Sequence, residues 1–247
     1  PGPVKQTTEL MHTATSHRSM DGVSLYVDVK EQLLKLADCR FVATIVGSGT
    51  VANEVMFGMV KSVFPKQQGL IVSNGEFGER LIYQAKHWEL TFVQKSYDWG
   101  AAFNLAEIEA MFIENDIRWL AFVHGETSTG TLNPLQNLIQ LCQKYNVKLC
   151  VDCISSFGTH PFSLKEVFCA TAVSGKAIGA LGGLSFVFYN DEPAEIEGIP
   201  SYVNVATYHN YMPFTVPVFL LANTLAALEQ YPARFKVLQQ RLQLMLD

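Results

Sequence analysis

A chain of 247 residues, 49% hydrophobic and 17% charged, can bury one sizeable core, which excludes a disordered or fibrous protein. With a net charge of −5 and no run of Lys or Arg it offers no footprint for a nucleic-acid backbone. The longest apolar stretch, Val216 to Leu228, is too short to cross a bilayer and holds Asn223 and Thr224, so no membrane partner is expected.

The chain opens at Pro1-Gly2-Pro3-Val4 without an initiator methionine or a signal-peptide pattern, so a processed or cut start is expected, and residues 1–15 read as an extended segment. Phe41 to Val46 is an apolar strand ending in Gly47-Ser48-Gly49, followed by helical spacing from Thr50 to Ser62. Leu70 to Ser73 is a second strand, closed by Asn74-Gly75, and Phe77 to Trp88 is a helix. Leu90 to Gln94 is a further strand. Asn104 caps a helix through Glu114, Trp119 to His124 is a strand, and Asn133-Pro134 starts a helix that ends near Tyr145-Asn146. Strands follow at Val147 to Val151, Cys169 to Val173 and Leu184 to Tyr189. Thr215 caps a helix from Pro217 to Gln230, and Ala233 to Asp247 reads as the beginning of another, with more chain expected after it. The alternation predicts one large α/β domain, a mostly parallel sheet with helices on both faces.

The five cysteines, Cys39, Cys142, Cys150, Cys153 and Cys169, are odd in number and have no metal-ligand spacing. The Cys150–Cys153 pair has no second pair after it, so buried thiols in a reducing cytoplasm are expected in preference to a redox or metal site.

In wound sheets, ligands bind beyond the carboxyl ends of the strands. The polar clusters at those ends are Gly47 to Thr50, Ser73 to Gly75, His124 to Thr127, Asp152, and Ser174 to Lys176, and they are expected to meet in one cleft. Gly47-Ser48-Gly49-Thr50 between strand and helix suits an anion at a helix N-terminus. With Ala52 it also spells a dinucleotide fingerprint, but Ser73-Asn74 stands where that fingerprint wants an acid on the next strand. Gly175-Lys176 fails the P-loop pattern at Ala170 and Ala177. Burial there would lower the lysine's pKa and make its amine a nucleophile; the residue alone fits a structural or a catalytic role equally. Asp152, after an apolar run, needs a cationic or hydrogen-bonding partner, as a cap, an ion pair or a site residue. A lysine, an isolated carboxylate, a phosphate cradle and the Phe77 ring at adjacent strand ends are the parts of a pyridoxal phosphate site.

Seven stretches in order, PGP at Pro1 to Pro3, SHRS at Ser16 to Ser19, GSGT at Gly47 to Thr50, VSNGEFGER at Val72 to Arg80, HGETSTG at His124 to Gly130, VDCISSFG at Val151 to Gly158 and SGKAIGALGG at Ser174 to Gly183, resemble the class V aminotransferases of fold type I. Within them the chain is similar to the 2-aminoethylphosphonate–pyruvate, alanine–glyoxylate and serine–pyruvate transaminases. The resemblance implies pyridoxal 5'-phosphate as cofactor, held by Lys176 as a Schiff base. It further implies that Asp152 pairs with the ring nitrogen, Phe77 stacks on the ring, Ser48, Gly49 and Thr50 bind the phosphate, and Thr127 bonds the ring hydroxyl or holds Asp152. Thr215 matches a position that reaches a neighbouring subunit's phosphate, implying a homodimer with shared sites. It also implies a large cofactor-binding domain over 16–230 and, over 231–247, the start of a truncated C-terminal small domain, with the arginine that reads the substrate carboxylate beyond the chain. The function implied is transfer of an amino group from a small amino acid or aminophosphonate to an oxo acid such as pyruvate or glyoxylate. A lyase or desulfurase of the same fold, a nicotinamide oxidoreductase and a truncated non-catalytic scaffold are the other readings.

Overall fold

A computed structural model describes residues 16–193 and 198–246, side chains of 242–246 excepted; the segment 1–15 with its PGP motif lies outside the described residues. Helix α1 (Met20–Ala37) leads into strand β1 (Phe41–Val46), α2 (Gly49–Val63), β2 (Gly69–Ser73), α3 (Glu76–His87) and β3 (Phe92–Ser96). Then come α4 (Leu105–Glu114), β4 (Trp119–Val123), a two-strand hairpin of β5 (Gly125–Glu126) and β6 (Thr131–Leu132), α5 (Leu135–Tyr145) and β7 (Lys148–Asp152). Strands β8 (Cys169–Val173) and β9 (Leu184–Tyr189) precede α6 (Val218–Leu246).

Seven strands form one sheet in the order β1-β9-β8-β7-β4-β2-β3. The pairs β2·β3, β2·β4, β4·β7 and β7·β8 are parallel, and β9 runs against both β1 and β8. This is the mostly parallel α/β sheet expected. Alternation along the strands divides the core in two. Leu70, Val72, Leu120, Phe122, Leu149 and Val151 face α1, α4, α5 and α6. Ile71, Trp119, Ala121, Val123 and Cys150 face α2 and α3. Helices therefore cover both faces.

Four local readings change. Helix α1, with Tyr26, Val29, Leu33 and Ala37 buried, was not assigned from sequence. Strand β3 starts two residues late, because Glu89 adopts a left-handed φ of 52° and prolongs the turn after α3. Pro134, not Asn133, occupies the cap position of α5, and Asn133 turns its side chain into the sheet instead. Helix α6 does not stop at Gln230 but runs through Pro232. A proline removes a helical N–H; near this break the Arg234 guanidinium donates to Ala227 O at 2.6 Å.

Four cysteines are buried and Cys39 is half-buried, all as free thiols. Burial pushes the thiols of Cys39, Cys142, Cys153 and Cys169 up, away from the reactive thiolate.

Candidate active site

At the carboxyl ends of β7 and β8, a cavity of about 130 Å³ is lined by Gly49, Thr50, Asn53, Phe77, Arg80, Val123, Gly125, Asp152, Ile154, Ser155 and Lys176. Four of the five polar clusters thus contribute to one cleft. The fifth does not: Asn74 donates to Ala101 O at 2.9 Å and to Asn133 Oδ1 at 2.8 Å, so Ser73-Asn74-Gly75 braces the loops around the cleft. Its contribution is indirect, through Phe77 and Arg80 on the helix that follows.

The β1–α2 turn presents a helix N-terminus to the cavity. Ser48 sits at the cap position, yet its side chain makes no capping hydrogen bond; Val51 N donates back to Ser48 O at 3.0 Å, which leaves the N–H groups of Gly49 and Thr50 for a ligand. Gly49 belongs there for lack of space: a Cβ on it would lie 2.4 Å from Ile154 Cδ1. Ser48 and Thr50 are exposed, and Ser48 does not line the cavity.

Asp152 ends β7 and is buried. The Asn53 amide donates to its Oδ2 at 2.8 Å and the Ile154 N–H to its Oδ1 at 2.9 Å. Burial pushes its carboxyl up to about 6; the Asn53 and Ile154 hydrogen bonds pull the other way, the Glu126 charge adds to the rise and Arg80 opposes it. The partner that a buried carboxylate needs is therefore an amide, neither an ion pair nor Thr127. Asn53 was missed because an asparagine inside a helix belongs to no sequence motif.

Phe77 and Arg80 reach the cavity from the first turns of α3, with the Arg80 guanidinium 4.7 Å from the Phe77 ring centroid. That helix is anchored by Glu126, also missed from sequence. Its buried carboxylate accepts from Phe77 N at 3.0 Å and Gly78 N at 3.1 Å, where the helix dipole favours negative charge. Its other oxygen accepts from Ser128 N at 3.1 Å and Ser128 Oγ at 2.6 Å. Thr127 lines a second cavity of about 350 Å³ that shares Gly125 and Ser155 with the first.

Lys176 is half-buried on the turn between β8 and β9. Ser174 Oγ donates to Leu181 O at 2.7 Å across that turn, and Leu181 N donates to Asn223 Oδ1 of α6 at 2.7 Å. Arg234 donates to Ile178 O. Gly47 N donates to Gly183 O at 2.8 Å, which ties the cradle turn to the lysine turn. Thr215 is exposed, outside the cavity lining.

The chain is 31% identical over its whole length to a 2-aminoethylphosphonate–pyruvate transaminase of Pseudomonas entomophila, spanning 73% of that protein. The fold superposes on an alanine–glyoxylate aminotransferase from Nostoc sp. with a TM-score of 0.79 at 25% identity, covering 87% of this chain and 61% of that one. With a pyridoxamine–pyruvate aminotransferase from Mesorhizobium loti the TM-score is 0.87 at 19% identity, covering 97% of this chain and 66% of that one. The chain thus spans about three-fifths to three-quarters of these relatives. Residues 5–197 match the family model described as aminotransferase class V. This chain belongs to the class V aminotransferase family.

Proposed function

We propose that the chain is the cofactor-binding part of a pyridoxal-phosphate-dependent transaminase. In this reading it moves an amino group from 2-aminoethylphosphonate or a small amino acid to an oxo acid such as pyruvate or glyoxylate. The observation that carries the reading is the meeting of Lys176, Asp152, Phe77 and an uncapped helix N-terminus in one cavity.

These residues fit pyridoxal 5'-phosphate. A dianionic phosphate suits the free N–H groups of Gly49 and Thr50, with Ser48 beside them. A flat ring suits the Phe77 face, and a protonated ring nitrogen suits the carboxylate of Asp152. Thr127, beside the cavity on the adjoining hairpin, would bond the ring hydroxyl, and Lys176 Nζ would supply the covalent anchor. When bound, the cofactor supplies the electron sink through which an amino group leaves one carbon skeleton and joins another.

The chain's own residues then divide the work. Asp152 holds a proton on the ring nitrogen by its charge. With the cofactor bound, the amine of Lys176 would be placed to carry a proton to and from the substrate α-carbon. Phe77 and Ile154 exclude water around that proton. Thr215 serves the phosphate site of a second copy in a cytoplasmic homodimer. Residues 16–230 form the large domain, and α6 carries on past that point with Tyr231 and Arg234 still packed on it. A desulfurase reading is not favoured, since no cysteine lines the cavity and the thiols lie in the core.

Adding pyridoxal phosphate to the purified chain is expected to give a yellow species whose cofactor is fixed by borohydride to the peptide containing Lys176. A protein that stays colourless, or one labelled equally well after Lys176→Ala, would sink the reading. Conversion of the bound cofactor to pyridoxamine phosphate by 2-aminoethylphosphonate or alanine then tests the donor.

A further inference from the structure

We propose, resting on the cofactor reading above, that Asn53 is a positioning residue for this site. Its amide, braced at its oxygen end by Thr171, fixes the Asp152 carboxylate against the cofactor's ring nitrogen and in register with the α2 cradle.

Asn53 lies on the buried side of α2 among Ala52, Val55 and Met56. A carboxamide in such a core is unfavourable unless both of its ends are paired. Both are. The Thr171 hydroxyl, fully buried on β8, donates to Asn53 Oδ1 at 2.8 Å, and Asn53 Nδ2 donates to Asp152 Oδ2 at 2.8 Å. The carboxylate, which can only accept, sets the direction of the amide, and the Thr171 hydroxyl completes the arrangement by donating to the Oδ1 end. The flipped amide would oppose oxygen to oxygen at Asp152.

The second consequence is geometric. Asn53 stands four residues after Gly49, so the cradle and the amide lie on one face of one helix. Asp152 sits on β7 and would otherwise be held only by the Ile154 N–H of its own turn. Through Asn53 the phosphate end and the ring-nitrogen end of the site share α2 as a common reference. The charged groups around Asp152 are Glu126 from β5, Arg80 from α3 and Lys176, which lines the same cavity. Glu126 and Arg80 act on Asp152 in opposite senses, and the neutral Asn53 donor is the foremost group favouring the ionised carboxylate, ahead of the Ile154 N–H.

The test uses Asn53→Leu, Thr171→Val and Thr171→Ser in the full chain. The Asp152 carboxyl is followed by carbon NMR titration of the cofactor-free protein. The half-reaction with the amino donor is followed separately in the loaded enzyme. Asn53→Leu is expected to move the Asp152 titration to higher pH and to lower kcat by about tenfold to a hundredfold, as for loss of a hydrogen bond to a charged group, with KM for the donor little changed. Thr171→Val is expected to act in the same direction and Thr171→Ser to restore both readouts. An Asp152 titration unmoved in Asn53→Leu overturns the proposal. Should that variant not fold, an unmoved titration in Thr171→Val, or equal damage from Val and Ser, overturns it instead. Failure of the wild-type protein to take up pyridoxal phosphate, with the titration shifts present, overturns the cofactor reading and leaves the Asn53–Asp152 linkage standing.

Discussion

Glu126 caps the helix that carries Phe77: one carboxylate oxygen accepts the N–H groups of Phe77 and Gly78, while the other holds Ser128 in the adjoining hairpin. The ring bordering the cavity is thereby set by an acid on a different strand. Replacing Glu126 by Ala leaves the buried Gly78 N–H and the half-buried Phe77 N–H without that acceptor and is expected to destabilise the fold by about 1–3 kcal/mol. Thermal unfolding of the cofactor-free protein measures this, and an unchanged midpoint refutes the anchoring role.

Space around Gly49 gives a different kind of prediction. A Cβ there meets the Ile154 side chain, which itself lines the cavity and must shift to make room. Gly49→Ala is therefore expected to keep the fold and to weaken pyridoxal phosphate binding by about tenfold or more, the scale of overpacking by one methyl. Equilibrium titration with the cofactor, alongside a melting curve, separates the two effects.

Two buried groups pull the pH dependence of stability in opposite directions. Burial, helped by the neighbouring His160, pushes His124 down from 6.5 to about 3, so the unfolded chain takes up that proton first. Its effect is loss of stability as pH falls from about 6.5 towards 3, at up to about 1.4 kcal/mol per pH unit. Asp152, raised from 3.8 to about 6, keeps its proton longer in the folded state and costs stability as pH rises through that window. The slopes oppose each other between about pH 4 and 6. His124→Phe is expected to unmask the Asp152 slope, giving a protein that becomes more stable on mild acidification. A melting series across that range showing the reverse trend rejects the assignment.

The lysine turn is clamped from behind by α6. Asn223→Leu removes the acceptor of the Leu181 N–H and is expected to slow covalent capture of pyridoxal phosphate by Lys176 about tenfold, through loss of a preorganised geometry. Stopped-flow absorbance reads the rate directly. Capture at the wild-type rate would show that the turn keeps its shape without the clamp.

Sequence alone revealed the sheet because Leu70 to Ser73, Trp119 to Val123 and Cys169 to Val173 are continuous apolar runs, the pattern of strands buried on both faces. It revealed the meeting of Gly49, Asp152 and Lys176 because strand ends in a parallel sheet share one edge. The first helix escaped notice because exposed Val23 and Val27 blur the stripe of Tyr26, Val29 and Leu33. Asn53, Thr171 and Glu126 escaped for another reason. Each acts through a partner on a different element, separated by 99, 118 and 49 positions in the bonds they make, and no local pattern encodes such distances.

The hydrogen bond from Gly47 N to Gly183 O joins the two chemically distinct ends of the cleft through main chain alone. Because β9 runs antiparallel, its first residues, not its last, reach the edge where β1 and β8 finish, and this is what brings Gly183 beside Gly47. At this point the anion cradle and the lysine turn are joined by main chain, while the side chains of Ser174, Asn223 and Arg234 hold the remainder of the lysine turn. Cleft residues outside that clamp can be exchanged to suit a new donor molecule while this main-chain tie between its two ends stays in place.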